Sequence, residues 1–452
     1  MANLSFAGCA TRDTIRLMQK RQILLALALA YLLLQAARGE WSQWRGPLGT
    51  GESPDGDPPI HWSATENIRW KQAIPGIGHS TPVIAGEHIF ITTAVPYGER
   101  FAAKKDTAPG AHDNFPVTSA HAFTVIAYNR QDGKKRWERT VTRERPREGG
   151  HFTGSLASNS PVTDGTFIYA YFGSRGLFCL DMKGEVVWEK DWGDMNTRHA
   201  HGEGSSPALH GNTLVINWDH EDASFITAID KRTGKQRWKK DRDEMTSWSS
   251  PLIVEHAGRH QVILPATGKS RAYDLETGEV VWECSGLSRN VVSTPVAGKG
   301  RVFLSNSYDW QAIQAITLEG ARGDITKTKN LAWSHQQNTS YVPSPLLYRD
   351  TLYFLAHLAN ILTGIDARSG EVTVAPFRLE GINRVFASPV AAAGRVYLCD
   401  LDGTTHVFEH GTPPRTLAVN QLDDRFSASP VIEGKALYLR GQHLYCIMKE
   451  NQ

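Results

Sequence analysis

The residues best suited to hold a metal ion are His199 and His201, with Glu203 two positions further on and His151 in an earlier loop. Alternate residues of an extended segment point the same way, so this spacing could turn two imidazoles and a carboxylate toward one divalent ion. Asp219, Glu221 and Asp222 in the run WDHEDAS carry the oxygen chemistry of a calcium site. The plainer reading is ordinary loop polarity, since the chain has 17 histidines and acidic runs are usually solvated. A second constellation is cationic and aromatic. Arg198, Arg242, Arg289, Arg384 and Arg425 recur in short polar loops, with Glu203, Asp243, Asn290 and Asp424 among them and Trp248, Tyr341 and Phe426 close by. Guanidinium groups beside aromatic rings suit a planar anionic or carbonyl-bearing ligand, or a protein hot spot. A solvated, salt-bridged loop surface uses the same residue types. No Gly-x-Ser-x-Gly elbow, His-Glu-x-x-His helix or phosphate-cradling loop is present, so nucleophilic, zincin and P-loop chemistry have no foothold.

The elements that must position these residues are read from internal repeats. A small polar residue followed by proline recurs at Pro82, Pro161, Pro207, Pro251, Pro295, Pro345, Pro389 and Pro430, at intervals of 41–50 residues after a first interval of 79. Each proline opens a short apolar run, where its missing N–H is tolerated. Two further strands follow, then a tight turn such as Glu276-Thr277-Gly278, then a strand bearing Trp137, Trp188, Trp238 or Trp282. Four antiparallel strands repeated eight times predict an all-β, eight-bladed β-propeller. The eighth unit stops after three strands, while Asn67 to Pro75 holds an unassigned strand with Trp70. That segment is expected to complete the last blade and close the ring, removing two exposed edges. Unit 5 enlarges its hairpin before Trp333, and units 6 and 7 lack the tryptophan, so those blades should pack differently.

Strand alternation puts the Gly and Thr-Gly turns on one face and the irregular connections on the other, and variable loops on a rigid scaffold are where binding usually lives. The arginine-bearing loops all fall on the irregular face. So does the long interruption at residues 95–121, with Lys104, Lys105 and Phe115, which could form a lid or a mobile loop.

The phrase Ala-x-Asp-x-x-Thr-Gly-x-x-x-Trp, present as residues 228–238 and 272–282, resembles the repeat of the pyrroloquinoline quinone (PQQ)-like propellers. That superfamily includes quinoprotein alcohol dehydrogenases and a lipoprotein propeller of outer-membrane β-barrel assembly. The resemblance spans essentially all of the chain after the leader. It implies either a non-catalytic binding or scaffold protein that engages an envelope protein or polymer on its irregular face, or an oxidoreductase holding PQQ and calcium at the channel mouth. Quinoprotein alcohol dehydrogenases commonly carry a vicinal Cys-Cys ring against the cofactor, and this chain has no adjacent cysteines. A propeller hydrolase or lyase acting on polysaccharide is a third reading.

Composition narrows the field. The 452 residues are 40% hydrophobic and 21% charged, ample for a large core, and 49 basic residues against 47 acidic ones exclude the concentrated positive charge of a nucleic-acid surface. Lys20 and Arg21 precede a short apolar run from Ile23 to Leu34, then Ala37-Arg38-Gly39, the pattern of a secretory leader cleaved before Glu40. Met18 is the expected start, and the run is shorter than the roughly 20 residues of a membrane span. The mature protein is therefore read as exported, periplasmic or extracellular, and monomeric. Cys179 and Cys446 occupy the place of Ala127, Ala228, Ala272 and Ala315 in sister repeats and read as small buried hydrophobes. Cys9 goes with the leader, while Cys284 and Cys399 have no evident partner.

Overall fold

A computed structural model describes residues 40–103, 106–356 and 359–449; the leader, Cys9, Lys104 and Lys105 lie outside the described residues. The folded unit begins at Trp41. It consists of eight sheets, each wound from an innermost short strand outward. Blades 1 to 7 span residues 83–144, 162–190, 208–241, 252–284, 296–335, 346–378 and 390–421. Blade 8 takes three strands from residues 431–447 and its outermost strand, Ile68–Ala73, from the start of the unit. That strand pairs antiparallel with His443–Ile447, Trp70 opposite Cys446 and Lys71 opposite Tyr445. The ring is thus closed by hydrogen bonds across the chain's two ends, as the orphan strand predicts.

The repeated phrase is a joint between blades. In the third blade's turn, Asp230 Oδ1 accepts hydrogen bonds from the backbone N–H groups of Arg232 and Thr233 and from the Thr233 hydroxyl; Asp274 does the same with Glu276 and Thr277. The turn then passes through a glycine in the left-handed region, Gly234 at φ +68° and Gly278 at φ +73°. Each glycine lies flat against the tryptophan of the preceding blade: a Cβ on Gly234 would stand 2.8 Å from the Trp188 ring, and one on Gly278 2.7 Å from Trp238. The indole N–H completes the joint by donating to a carbonyl in the same turn, Trp188 to Lys231 at 3.0 Å and Trp238 to Leu275 at 2.9 Å. Across its own blade each tryptophan faces a small residue, Ala228 opposite Trp238 and Cys179 opposite Trp188, which explains why cysteine and alanine alternate there. The described cysteines Cys179, Cys284, Cys399 and Cys446 are all buried and unpaired.

Three blades modify the joint. The enlarged hairpin of blade 5 lays Gly323–Asp324 parallel to Val280–Cys284 as a fifth strand on blade 4. Trp282, fully buried, donates instead to Gln261 Oε1 within its own blade. Blades 6 and 7 carry Val374 opposite Gly364 and Ala418 opposite Val407 in place of the tryptophan pairs. Trp62, from the segment before the closing strand, is buried in the same cluster as Val407 and Ala418, and its backbone N–H donates to Asn420 in the outer strand of blade 7.

A second set of joints runs around the axis. The residue before each repeat proline is Ser or Thr, and its backbone N–H donates to the corresponding hydroxyl of the next blade. The relay runs from Thr81 to Ser160, Ser206, Ser250, Thr294, Ser344, Ser388 and Ser429, with distances of 2.8–3.3 Å. At the seam between blades 8 and 1, buried Arg440 reaches across from the second strand of blade 8 to the Ser80 carbonyl and hydroxyl and to the Thr92 carbonyl. Residues 41–58 are tied to the innermost strands. Trp41 O and Ser42 O accept from Ile84 and Thr163, Trp44 Nε1 donates to Thr294 Oγ1, and Arg45 donates to Pro345 O and Pro389 O. Gly51 and Ser53 bracket Ala391 with two hydrogen bonds. The segment therefore plugs the channel of the ring, a feature the repeat pattern does not announce.

The joint makes a testable distinction between glycines. Gly234→Ala must both force a side chain into the left-handed region, about 1–2 kcal/mol, and displace the Trp188 ring, a further roughly 1–3 kcal/mol. Gly211→Ala, also at positive φ but with open space around it, incurs only the first cost. Thermal unfolding of the two variants should show the larger loss for Gly234→Ala, and equal losses would refute the joint.

Candidate functional site

A cavity of about 540 Å³ lies within the ring of blades. Its floor is Trp44 of the plug together with the hydroxyl ring, Ser206, Ser250, Thr294, Ser344 and Ser388 among it. Its upper walls are Phe152, Trp248, Tyr308, Tyr341 and Phe386, with His79, His112, His151, His201 and Glu203. These upper residues come from blade-to-blade loops and from second-to-third strand connections, so the lining above the floor belongs to the irregular face. A smaller cavity of about 190 Å³ lies against Trp44, Arg45 and Leu252 in the plug region.

The insertion of blade 1 is docked at this mouth. Asn114 Nδ2 donates to His199 O at 2.8 Å and Phe115 N to Gly150 O at 3.0 Å. His199 Nδ1 lies 3.1 Å from Pro109 O, and His201 Nε2 3.2 Å from His112 O. Four imidazoles gather there, with ring centroids 4.8 Å apart for His112–His201 and His151–His201, 5.0 Å for His112–His199 and 5.3 Å for His199–His201. Both His199 and Ala200 adopt left-handed backbone conformations, a strained geometry of the kind that clusters at functional sites.

Of the residues singled out by sequence, His151, His201, Glu203, Trp248 and Tyr341 line the cavity. Glu203 is already committed: it accepts from Ser174 N at 2.7 Å and from Arg175 Nη1 at 3.1 Å. Arg198 donates to His199 Nε2, so both nitrogens of that ring are engaged. The remaining arginines do not converge on the cavity. Arg242 is buried, paired with Asp219 at 2.7 Å and bonded to the Tyr273 hydroxyl; Asp219 raises its pKa against the opposing effect of burial. Asp243 pairs with Arg271, Arg289 with Asp309, and Arg384 with Asp402. Asn290 is buried at a left-handed position, and Arg425 is exposed. Asp424 caps the turn of blade 8 by accepting from Arg425 N, Gln442 N and His443 N. Phe426 is core, edge-on to Tyr445. Glu221 accepts from Thr246 N and Oγ1. Among the described residues no group of three or more His, Cys, Asp or Glu side chains is arranged to hold a metal ion. Sequence reasoning missed Trp44, His79, His112 and the hydroxyl ring. The ring's signal was in plain view, as Ser or Thr before every repeat proline, but reads there only as a strand opener.

With fold and cavity in place, the class is defined: an all-β propeller of eight PQQ-like repeat blades with a plugged axial pocket. The family model described as "Outer membrane protein assembly factor BamB" matches residues 117–239 and 184–452, and the chain belongs to this PQQ-like propeller family. An outer membrane protein assembly factor BamB of Francisella salina is 32% identical over 23% of this chain and 18% of its own length. A tetrathionate hydrolase of Acidithiobacillus ferrooxidans is 24% identical over 56% of this chain and 54% of its own. The chain thus spans about half or less of these relatives. The crystal structure of a quinohemoprotein alcohol dehydrogenase from Comamonas testosteroni superposes with a TM-score of 0.63 at 10% identity, covering 94% of this chain and 83% of that one, a likeness of fold. No helix among the described residues is long and apolar enough to cross a membrane.

The residues present do not fit calcium-assisted PQQ. The cavity's single described carboxylate is held by Ser174 and Arg175, no second carboxylate or side-chain amide lines it beside the hydroxyls, and no cysteine does.

Burial sets the titration of the mouth. His79 is lowered to about 4 by burial, then by Arg440 and Arg425; His201 is lowered to about 4 by burial and then by His151. Both folded values lie below the ordinary 6.5, so between pH 6.5 and about 4 the unfolded chain binds more protons, and stability falls as pH falls through that window. The unfolding temperature of His79→Gln or His201→Gln should decline less between pH 6.5 and 4 than that of the parent. Parallel curves would sink this account.

Proposed function

We propose that this protein is an exported binding propeller of the cell envelope, its leader removed before Glu40, that receives a ligand or the tip of a partner in the axial pocket from the irregular face. The observation that carries the reading is the pocket itself: about 540 Å³, floored by Trp44, with aromatic and imidazole side chains of several blades at its mouth. That size falls within the range of small-molecule sites, and a few convergent polar groups among aromatic walls are their usual lining. Membership in a family named for an outer-membrane assembly factor supports an envelope setting. Metal-dependent catalytic readings, the dehydrogenase among them, lack support in that no group of three or more His, Cys, Asp or Glu side chains among the described residues is placed to hold the ion.

Expression of the full chain, followed by N-terminal sequencing of the exported form, should give Glu40 as the first residue. Native mass spectrometry of that form after exposure to envelope extract should show a retained ligand that Trp248→Ala loses while keeping its unfolding temperature within a few degrees. Dye reduction with alcohols or sugars in the presence of PQQ and calcium would overturn the proposal. So would a chain retained in the cytoplasm with residues 1–39 intact.

A further inference from the structure

The floor of the pocket combines uncommitted hydroxyl donors with buried positive charge. Seven of the eight ring hydroxyls, all but that of Thr81, accept one N–H from the neighbouring blade, which uses a lone pair and leaves the O–H free to donate. For Ser206, Ser250, Ser344, Ser388 and Ser429, all buried and all lining the cavity, no acceptor takes that proton among the described residues. Behind the ring stand Arg45 and Arg440, each 1% exposed. Neither has a carboxylate partner: Arg45 donates to Thr50 O, Pro345 O and Pro389 O, Arg440 to Ser80 and Thr92, and the Nε of each is unbonded among the described residues. Pro345 and Pro389 directly follow the ring residues Ser344 and Ser388, and Ser80 directly precedes Thr81, so both guanidinium groups are tied to backbone adjoining the relay. Buried charges are ordinarily paired. Desolvation lowers both to about 9, which leaves them charged at neutral pH, and His79 in the lining is lowered first by its own burial and then by Arg440.

We propose that the floor of the axial pocket is an anion site, holding a small oxyanion or the carboxylate, sulfonate or phosphate head of a larger ligand on the ring's hydroxyl donors, with Arg45 and Arg440 supplying the counter-charge from behind. The inference rests on the pocket being a ligand site, as proposed above, and adds the chemical class of what enters. Hydrogen bonds to an ionised acceptor are shorter and about twice as strong as neutral ones, so several hydroxyls around one floor can hold an anion without a lysine or arginine touching it. Glu203, the one described carboxylate of the lining, is itself hydrogen-bonded by Ser174 and paired with Arg175, which it shares with Glu144.

Calorimetric titration of the exported protein with sodium sulfate, sodium acetate and a hexuronic acid, at ionic strength held constant with sodium chloride, tests the assignment. Glucose serves as the uncharged control. Saturable binding of one anion per chain, with selenate soaked into crystals giving a single anomalous peak at the hydroxyl ring, is the expected result. Tightest binding by sulfate points to a free oxyanion, and tightest binding by the uronic acid points to the head of a larger ligand. Ser250→Ala should weaken binding about fivefold, in line with the loss of one hydrogen-bond donor, and Arg45→Gln about tenfold or more, through loss of a buried counter-charge. If either variant fails to fold, the selenate position in the parent protein still decides. Binding of glucose without any anion would overturn the anion assignment and leave the pocket reading standing. Anion binding with no peak at the ring, or affinity unchanged in a folded Arg45→Gln, would also overturn it.

Discussion

The structure depends on a hydrogen bond that blades 1 to 7 each make to the next at the axis, from the backbone N–H of a Ser or Thr to the hydroxyl of its counterpart one blade on, with Arg440 bridging the last seam. A propeller blade cannot bury both of its faces alone, so the assembly must fix the angle between neighbours as well as the sheets themselves. The proline after each of these residues restricts it to extended backbone. The N–H is thereby aimed sideways, toward the next blade, and the hydroxyl inward. The same geometry that sets the blade angle leaves a circle of O–H groups around the channel. Fold and pocket floor are consequently one feature, and removal of a ring hydroxyl is felt in both.

The outer joint works differently. There the tryptophan supplies area and a single indole hydrogen bond, and the glycine of the following turn supplies the absence of a side chain. Because the contact is flat and apolar it tolerates substitution by other bulky groups, which is how blade 7 manages with Trp62 brought in from the N-terminal segment and how blade 4 is covered by the extra strand at Gly323–Asp324. The inner joint varies less: all eight positions are Ser or Thr, and only the seam between blades 8 and 1 replaces the hydroxyl relay with Arg440.

Eight blades, their order and the closing strand were legible because each is written in periodic phrases with a mechanism behind them: proline at a strand start, Asp-x-x-Thr-Gly at a turn, tryptophan across from alanine. The site was legible only in outline. His151, His201, Glu203, Trp248 and Tyr341 reach the pocket, but Arg242 looks identical in sequence to a mouth arginine and is instead buried against Asp219. Loop arginines next to acids satisfy one another locally, and nothing in spacing tells a paired guanidinium from a free one. The two cations that bear on the pocket, Arg45 and Arg440, were invisible for the opposite reason: one lies in a non-repeating segment and the other in a strand, where arginine reads as solvent-facing.

The N-terminal segment joins these two layers. Residues 41–58 thread the axis, Trp62 fills a blade interface and Ile68–Ala73 forms the final strand, so the stretch that floors the pocket is continuous with the one that closes the ring. A chain whose last blade is open has no anchored floor, because the strand at Trp70 holds one end of the segment that carries Trp44 and Arg45. Burying Arg45 without a carboxylate is costly, and the cost is borne where the plug meets the carbonyls of Pro345 and Pro389. A segment needed only to seal the channel would do so more cheaply with an apolar side chain at that position, so the charge is better understood as belonging to what the floor is built to face.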